Sequence, residues 1–382
     1  MTKSILIVTP YYVPYIVGGA EISTQLIAEN VPGVDILTIG YSDGERRYGN
    51  ARILEVQVSA LESAWEKMLQ GSALNFKEKI KLNLYPQFPK KRLVQRYIEL
   101  FDQYDIVAVN SNCELLDRAS IWKAASLSKA EFVVILRDYT LLNKHILGYD
   151  LSSLLKAMVK KELGNINRLV SPSKYMLSLH YDEYPELAEI PSQVIPNAVD
   201  IAFREPKRNK QKQIIYAGSL TTDKGIETLL KAVRGFGDVI SDDLLTMYGK
   251  GPLADECKKT PGVKVHDWIP RKQLYNEIED SKLLVLPSEW PEAFGRVLVE
   301  AVACGTIPLG SDAGAIPEVL DYDDDLIFTA GDAADLEEKA RGILRWDWDT
   351  YTNKLAILRR RMSKYTLSSY KDEWENFFNA SS

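Results

Sequence analysis

The 382-residue chain predicts an α/β protein of two Rossmann-like, doubly wound domains. Short apolar runs of strand length alternate with stretches of helical period through both halves, the habit of parallel sheets flanked by helices. Nearly every such run stops at a turn rich in Gly, Pro or Ser, where a strand-to-helix loop belongs. The chain is also long for a single core, and a polar, basic stretch near its middle, Glu205 to Gln213, has nothing to bury.

Composition narrows the class further. Apolar residues make up 46% and charged residues 26%, an ordinary globular balance, and the net charge of -6 argues against a general nucleic-acid binder, which needs a basic excess. Cys113, Cys257 and Cys304 stand far apart, and His145, His180 and His266 form no ligand spacing, which predicts a reducing compartment and no bound metal. The N-terminal apolar run is too short for a signal peptide, and no run approaches the roughly 18 apolar residues of a membrane span. A cytoplasmic protein is expected.

In the first half, Ser4 to Val8 is the opening strand, and a long loop then reaches Gly18 and Gly19 before the helical pattern Ile22, Leu26, Ile27. Adjacent glycines at a helix entrance let backbone approach a phosphate. The spacing does not meet the dinucleotide-binding fingerprint, because the loop is long and the glycines adjoin. Further strands are expected at Asp35 to Ile39, Ile53 to Val58, Asp105 to Val109, Glu131 to Leu136 and Arg168 to Val170. Ligands of doubly wound sheets sit beyond the carboxyl ends of strands, which marks Arg137, Asp138 and Tyr139. Residues 76–96 carry seven basic residues and one acid among apolar and aromatic ones, a mixture that suits either an anionic membrane surface or a solvated helix rim.

Past the first half, V-S-P-S-K-Y-M is a strand entering a helix with Ser171 or Ser173 as N-cap, and Val194 to Asp200 is a strand entering a turn. A fresh sheet starts at Gln213 to Ala217, whose end loop holds Gly218, Ser219, Lys224 and Gly225; Lys224 is the compact cation there. Strands at Leu245 and Val263 follow, with Lys250 and Trp268 as weak candidates for contact with a base. Leu283 to Leu286 is a buried strand. After a polar turn, Val297, Leu298, Ala301 and Val302 fall at helical spacing, and Gly305 closes the helix. Glu292 precedes this helix and Glu300 lies about two turns on, so both carboxylates can hold hydroxyls. N–H groups near Phe294 and Gly295 are free to bind oxygens. Thr306 to Leu309 and the turn Gly310 to Glu318 repeat the design, with Gly314 suited to positive φ. The tail from Tyr365 to Phe378 is aromatic enough to bury a face.

P-S-E-W-P-E-A-F-G-R-V-L-V-E-A-V-A-C-G-T-I-P, residues 287–308, with G-A-I-P-E after it, resembles the signature of the retaining glycosyltransferases of family 4, of GT-B fold. I-P-N-A-V-D and the G-S-L-T-T-D-K-G loop are similar to other parts of that family. The resemblance implies two facing lobes, 1–200 and 205–364, with a terminal helix, 365–382, crossing back to the first. It implies a nucleotide diphosphate sugar donor of UDP or GDP type, a glycan, lipid-linked or small-molecule acceptor, and no metal. By the same resemblance, Glu300 holds ribose hydroxyls, Glu292 the sugar and Lys224 the diphosphate. Gly18, Gly19, Gly218, Ser219, Ala293, Phe294, Gly295 and Arg296 line the donor. The chain departs from the family where Arg137 replaces a histidine before Asp138, where Ser219 replaces an arginine, and where Ala198 replaces a glycine. A sugar-nucleotide epimerase and a catalytically silent binder are the rival readings, and contact of 76–96 with the inner face of an anionic membrane is a further expectation.

Overall fold

Ile5–Val8 (β1) is a run of four buried apolar residues flanked on both sides by parallel neighbours, the reason its sequence shows no polar alternation. It is central to an eight-stranded sheet of order β10-β9-β6-β5-β1-β2-β4-β3 in the computed structural model. Residues 2–15, 18–57, 66–67, 75, 77–78, 88–142, 145–146, 149–150, 160, 163–237 and 243–380 are described. The other strands of this sheet are β2 (Val34–Ile39), β3 (Gly44–Tyr48), β4 (Ala51–Val56), β5 (Ile106–Asn110), β6 (Glu131–Ile135), β9 (Arg168–Ser171) and β10 (Ser192–Val194). Two short strands, β7 (His145–Ile146) and β8 (Tyr149–Asp150), pair antiparallel apart from it. The helices α1 (Gly19–Asn30), α2 (Lys91–Phe101), α3 (Arg118–Ala125) and α4 (Lys174–Glu183) connect the strands.

Two elements differ from expectation. β3, G-E-R-R-Y, is an exposed, charged edge strand that pairs antiparallel with β4, and its composition hides it from a search for apolar runs. β10 ends at Val194, where the sequence places a strand's start; Ala198 beyond it is fully buried, and its turn needs no positive φ.

The second sheet is parallel throughout, of order β13-β12-β11-β14-β15-β16. Its strands are β11 (Lys212–Ala217), β12 (Leu245–Tyr248), β13 (Val263–His266), β14 (Ser281–Leu286), β15 (Ile307–Ser311) and β16 (Ile327–Phe328). The helices are α5 (Ile226–Gly235), α6 (Ala254–Lys259), α7 (Arg271–Glu279), α8 (Arg296–Ala303), α9 (Ile316–Val319), α10 (Ala333–Leu344), α11 (Trp348–Met362) and α12 (Leu367–Asn379). Leu283, Leu284, Leu298, Val302 and Ile307 are wholly buried in one core with the inner faces of α5 and α11.

By contacts the chain divides into a first unit, Met1–Pro172, Met176–Ile195 and Lys371–Ser382, and a second, Ser173–Tyr175 and Pro196–Tyr370. In the first unit, Trp374 and Phe378 of α12 are fully buried, and Arg168 pairs with Glu131 and lies 4.1 Å over the Phe377 ring. In the second, the basic segment from Glu205 to Gln213, expected as a boundary stretch with nothing to bury, is tied down. Lys207 pairs with Asp280 at 2.7 Å, and Lys210 Nζ donates to the Glu279 carbonyl at 2.7 Å. Glu279 at the end of α7 and Asp280 just past it answer the Lys207 charge, a pairing that composition alone cannot show.

Candidate donor site in the second unit

The site grows from two strand-end loops forced together by glycine. Gly225 has φ +68, and a Cβ there would stand 1.7 Å from the Pro287 carbonyl oxygen. Only glycine lets the turn after β11 press on the end of β14. The Asp223 carbonyl then accepts the Glu289 and Trp290 N–H groups at 3.0 and 2.9 Å.

This contact brings Lys224 to Glu292, with Nζ and Oε1 2.7 Å apart. The same Oε1 accepts the Ser288 hydroxyl at 2.6 Å, and the Ser288 carbonyl accepts the Ser311 hydroxyl at 2.6 Å. Beneath them Gly314, at φ +70, lies so close that a Cβ would be 2.4 Å from the Glu292 N and O. The Ala315 N–H donates to the Glu292 carbonyl at 2.8 Å. The turns after β14 and β15 therefore hold one carboxylate by its own backbone as well as by its side chain. Its position and that of Lys224 are over-determined before any ligand arrives.

Glu300 takes a separate partner. It lies on α8, 5% exposed, and accepts from Arg271 Nη2 at the start of α7. Burial works against the Arg271 charge, but the Glu300 carboxylate and the Tyr275 hydroxyl more than offset this and carry its pKa upward. Arg296, the first residue of α8, is driven the other way: burial, then the Arg271 guanidinium, bring it down to about 10. It stays a cation at neutral pH.

Gly295 caps α8 at φ +85, and its carbonyl accepts the Leu298 N–H at 3.0 Å. Phe294, expected to offer only its N–H, also packs edge-on against Tyr365 with centroids 5.2 Å apart, which anchors the loop that holds Ala293. Gly218 and Ser219 follow β11; the Ser219 carbonyl accepts the Tyr216 hydroxyl at 2.7 Å, and its side chain is exposed. Ser173, one of the two serines expected as helix cap, donates its hydroxyl to the Ala293 carbonyl at 2.8 Å. The Glu318 carboxylate takes the Lys174 and Tyr175 N–H groups at 3.1 Å each. Trp268 is 53% exposed beyond β13, so it is no core tryptophan, and Lys250 pairs with Asp267 at 3.4 Å.

The first unit carries its own cluster. The Gly18 N–H, expected to face a phosphate, donates to Glu21 Oε2 at 2.7 Å, which occupies that donor. Gly18 is extended, with φ -160, so glycine is not required there by conformation. Gly19 has nothing within 4 Å of where a Cβ would be. Glu21 itself is buried, and burial raises its pKa while its own N–H, that of Gly18 and the Arg137 charge act against the rise. Arg137 is buried at the end of β6, where its Nε donates to Asn110 Oδ1 at 3.3 Å and its N–H to the Ser111 hydroxyl at 2.9 Å. Ser111 donates to Asp138 at 3.2 Å.

Lys224 and Glu292 are thus brought together, Glu300 is set on Arg271, and Arg137 and Asp138 share one polar network. Sequence reasoning missed Ser288, Arg271 and Glu21. Ser288 stands four residues before Glu292 in the same motif and was open to recognition; nothing in the sequence links Arg271 to Glu300. Within residues 76–96, position 76 and positions 79–87 lie outside the described residues; of the rest, α2 begins at Lys91 and Phe88 is 59% exposed. Among the described residues, no group of three or more His, Cys, Asp or Glu could hold a metal, and no helix is long and apolar enough to cross a membrane.

Residues 199–367 match the family model described as glycosyl transferases group 1. The chain is 29% identical over 184 residues to the lipopolysaccharide 1,2-N-acetylglucosaminetransferase of Salmonella typhimurium, covering 41% of this chain and 47% of that relative. Sucrose-phosphate synthase from Thermosynechococcus elongatus has a similar structure, with a TM-score of 0.74, 16% identity and 98% of both chains covered. So does Anabaena HepE, solved with UDP and glucose, with a TM-score of 0.67 at 16% identity over 99% of this chain and 100% of that one. The architecture is that of the GT-B glycosyltransferases.

Proposed function

We propose, on the premise that residues 199–367 carry a group 1 glycosyltransferase module, that this chain moves a sugar from a nucleotide diphosphate sugar to an acceptor hydroxyl with retention at the anomeric carbon. The donor is of UDP or GDP type and the acceptor a glycan, lipid-linked or small-molecule one; the HepE complex with UDP and glucose favours uridine. The observation that carries the reading is the Lys224–Glu292 pair, 2.7 Å apart on two glycine-locked loops at the strand ends.

When the bond from the anomeric carbon to the diphosphate breaks, negative charge gathers on the leaving oxygens. A preset cation lowers that barrier without reorganising at the moment of reaction. Lys224 is that cation, and Arg296 and the N–H groups around Gly295 add to it. Glu292 receives the sugar hydroxyls, steadied by Ser288. Glu300 receives the ribose hydroxyls, steadied by Arg271. The acceptor oxygen bonds to the anomeric carbon on the face the diphosphate leaves, and its proton passes to the departing phosphate oxygen. This route needs no metal. In the first unit, Gly19 offers open backbone, and Arg137 and Asp138 serve hydroxyl or anion recognition on the acceptor side.

The test is release of UDP or GDP from a panel of donors with and without acceptors, with the anomeric configuration of the product read by NMR. Retained configuration and acceptor-dependent release are expected. Epimer formed from donor alone marks the epimerase reading, and donor binding without turnover marks a silent binder. The basic stretch 76–96 is proposed as a peripheral contact with anionic membrane at the cytoplasmic face. Sedimentation with anionic vesicles at low salt, reversed by salt, is its expected signature, and no sedimentation rejects it.

A further inference from the structure

A second candidate site lies at the opposite pole of the second sheet, at the amino ends of β11 and β14. A cavity of about 290 Å³ is lined there by Arg208, Lys210, Lys282, Trp346, Trp348 and Tyr351, among others. Trp348 and Tyr351 stack with centroids 6.0 Å apart and planes 6° from parallel. Arg208 stands 6.0 Å from the Trp348 ring centre, and Lys210 Nζ 5.9 Å from that of Tyr351.

The charges are unbalanced. Among the described residues neither Arg208 nor Lys282 has an ion pair, and Lys210 is held by the Glu279 carbonyl and, at 3.2 Å, the Thr306 hydroxyl. Asp347 is the one carboxylate in the lining, and its Oδ1 already accepts the Thr350 N–H at 2.8 Å. Within the lining three cations therefore stand with one engaged acid beside aromatic faces, while Glu279 and Asp280 outside it act on Lys210.

We propose that this cavity binds an anionic saccharide unit, a sugar bearing a carboxylate or a phosphate. Aromatic side chains take the apolar face of a sugar ring, and an arginine fork with a nearby ammonium takes a carboxylate or phosphate. The volume is near the lower limit of ligand cavities, about 300 Å³, which suits one sugar better than a nucleoside diphosphate. The binding does not depend on the reaction proposed for the opposite pole, so either reading can fail without the other.

The experiment titrates the full chain with glucuronate, glucose 6-phosphate, glucose, inorganic phosphate and UDP, followed by tryptophan fluorescence and saturation-transfer NMR. At least one charged sugar is expected to bind, and which of the two does so separates the carboxylate source from the phosphate source. Glucose and inorganic phosphate should bind at least tenfold more weakly than that sugar. In an Arg208→Ala, Lys282→Ala double variant the charged sugar should lose at least tenfold in affinity, while UDP binding and donor turnover stay unchanged. Arg208 is exposed and Lys282 is half-buried with no ion pair among the described residues, so the variant is expected to fold, and an unchanged UDP titration checks that it has. Failure of both charged sugars to bind, unchanged affinity in the double variant, or inorganic phosphate binding as tightly as the sugar phosphate overturns the proposal.

Discussion

Lys224 and Glu292 are 68 positions apart in the chain and 2.7 Å apart in space. Neither side chain is deeply buried, at 29% and 19% exposed, so the pair contributes little to stability; exposed and half-exposed ion pairs give about 0–1 kcal/mol. Its conservation of geometry comes from the backbone beneath it. Lys224→Ala should therefore lower transfer by about two to three orders of magnitude, the usual cost of removing a preset charge partner, with a melting temperature close to that of the parent. Initial-rate assays of nucleotide release check it, and a variant that keeps its rate removes Lys224 from the mechanism.

Glycine substitutions should separate architecture from ligand approach. Gly225→Ala puts a methyl 1.7 Å from the Pro287 oxygen at φ +68, and Gly314→Ala puts one 2.4 Å from Glu292 backbone at φ +70. Each should cost about 2 kcal/mol or more in denaturant unfolding, because backbone and not a flexible side chain must move. Gly19→Ala meets nothing within 4 Å and should leave stability unchanged or slightly raised. A higher KM in that variant would support ligand approach at Gly19, and an unchanged KM would remove it from the site.

Arg271 and Glu300 form a pair in which the acid is nearly inaccessible. Arg271→Met leaves the buried carboxylate uncompensated and should destabilise the chain by about 3–5 kcal/mol. Arg271→Met combined with Glu300→Gln should recover much of that loss, since no charge is then stranded. A double-mutant cycle by urea unfolding measures the coupling, and additive effects would contradict it.

Lys210 supplies a pH dependence. Burial, the largest cause, brings its ammonium from the usual 10.5 down to about 8. Between about 8 and 10.5 the unfolded chain holds a proton that the folded chain has released, so stability rises with pH across that window. Below 8 both states are charged and the penalty of burying the ammonium is constant. The unfolding free energy of the parent minus that of Lys210→Met should climb from pH 8 to pH 10. A flat difference would contradict the shift.

Thermal shift against UDP, GDP, ADP and their sugars should single out one base. A ligand at a hundred times its dissociation constant adds about 2.7 kcal/mol, a displacement easily read for one nucleotide against the others. Equal shifts with all three would place base recognition outside this site.

The legibility of this chain follows from how local each feature is. Strands such as β1, β5 and β14 are runs of apolar residues because both sheet faces are covered, and a reader of the sequence finds them from composition alone. β3 escapes such a reading because an edge strand carries charge, and β16 because two residues make no pattern. The P-S-E-W-P-E-A-F-G stretch announces Glu292 and Gly295 because the loop and the helix start are contiguous in the chain.

By itself, then, the amino-acid order determined two α/β sheets built mainly of parallel strands, the strand-end loops that hold Lys224 and Glu292, and the glycines those loops require, since each depends on neighbours a few residues away. Tertiary structure alone decided the pairing of Arg271 with Glu300 and the cations gathered at the far pole of the second sheet. Those contacts join segments that meet only after the sheets have formed, and no periodicity in the chain records which charge will face which.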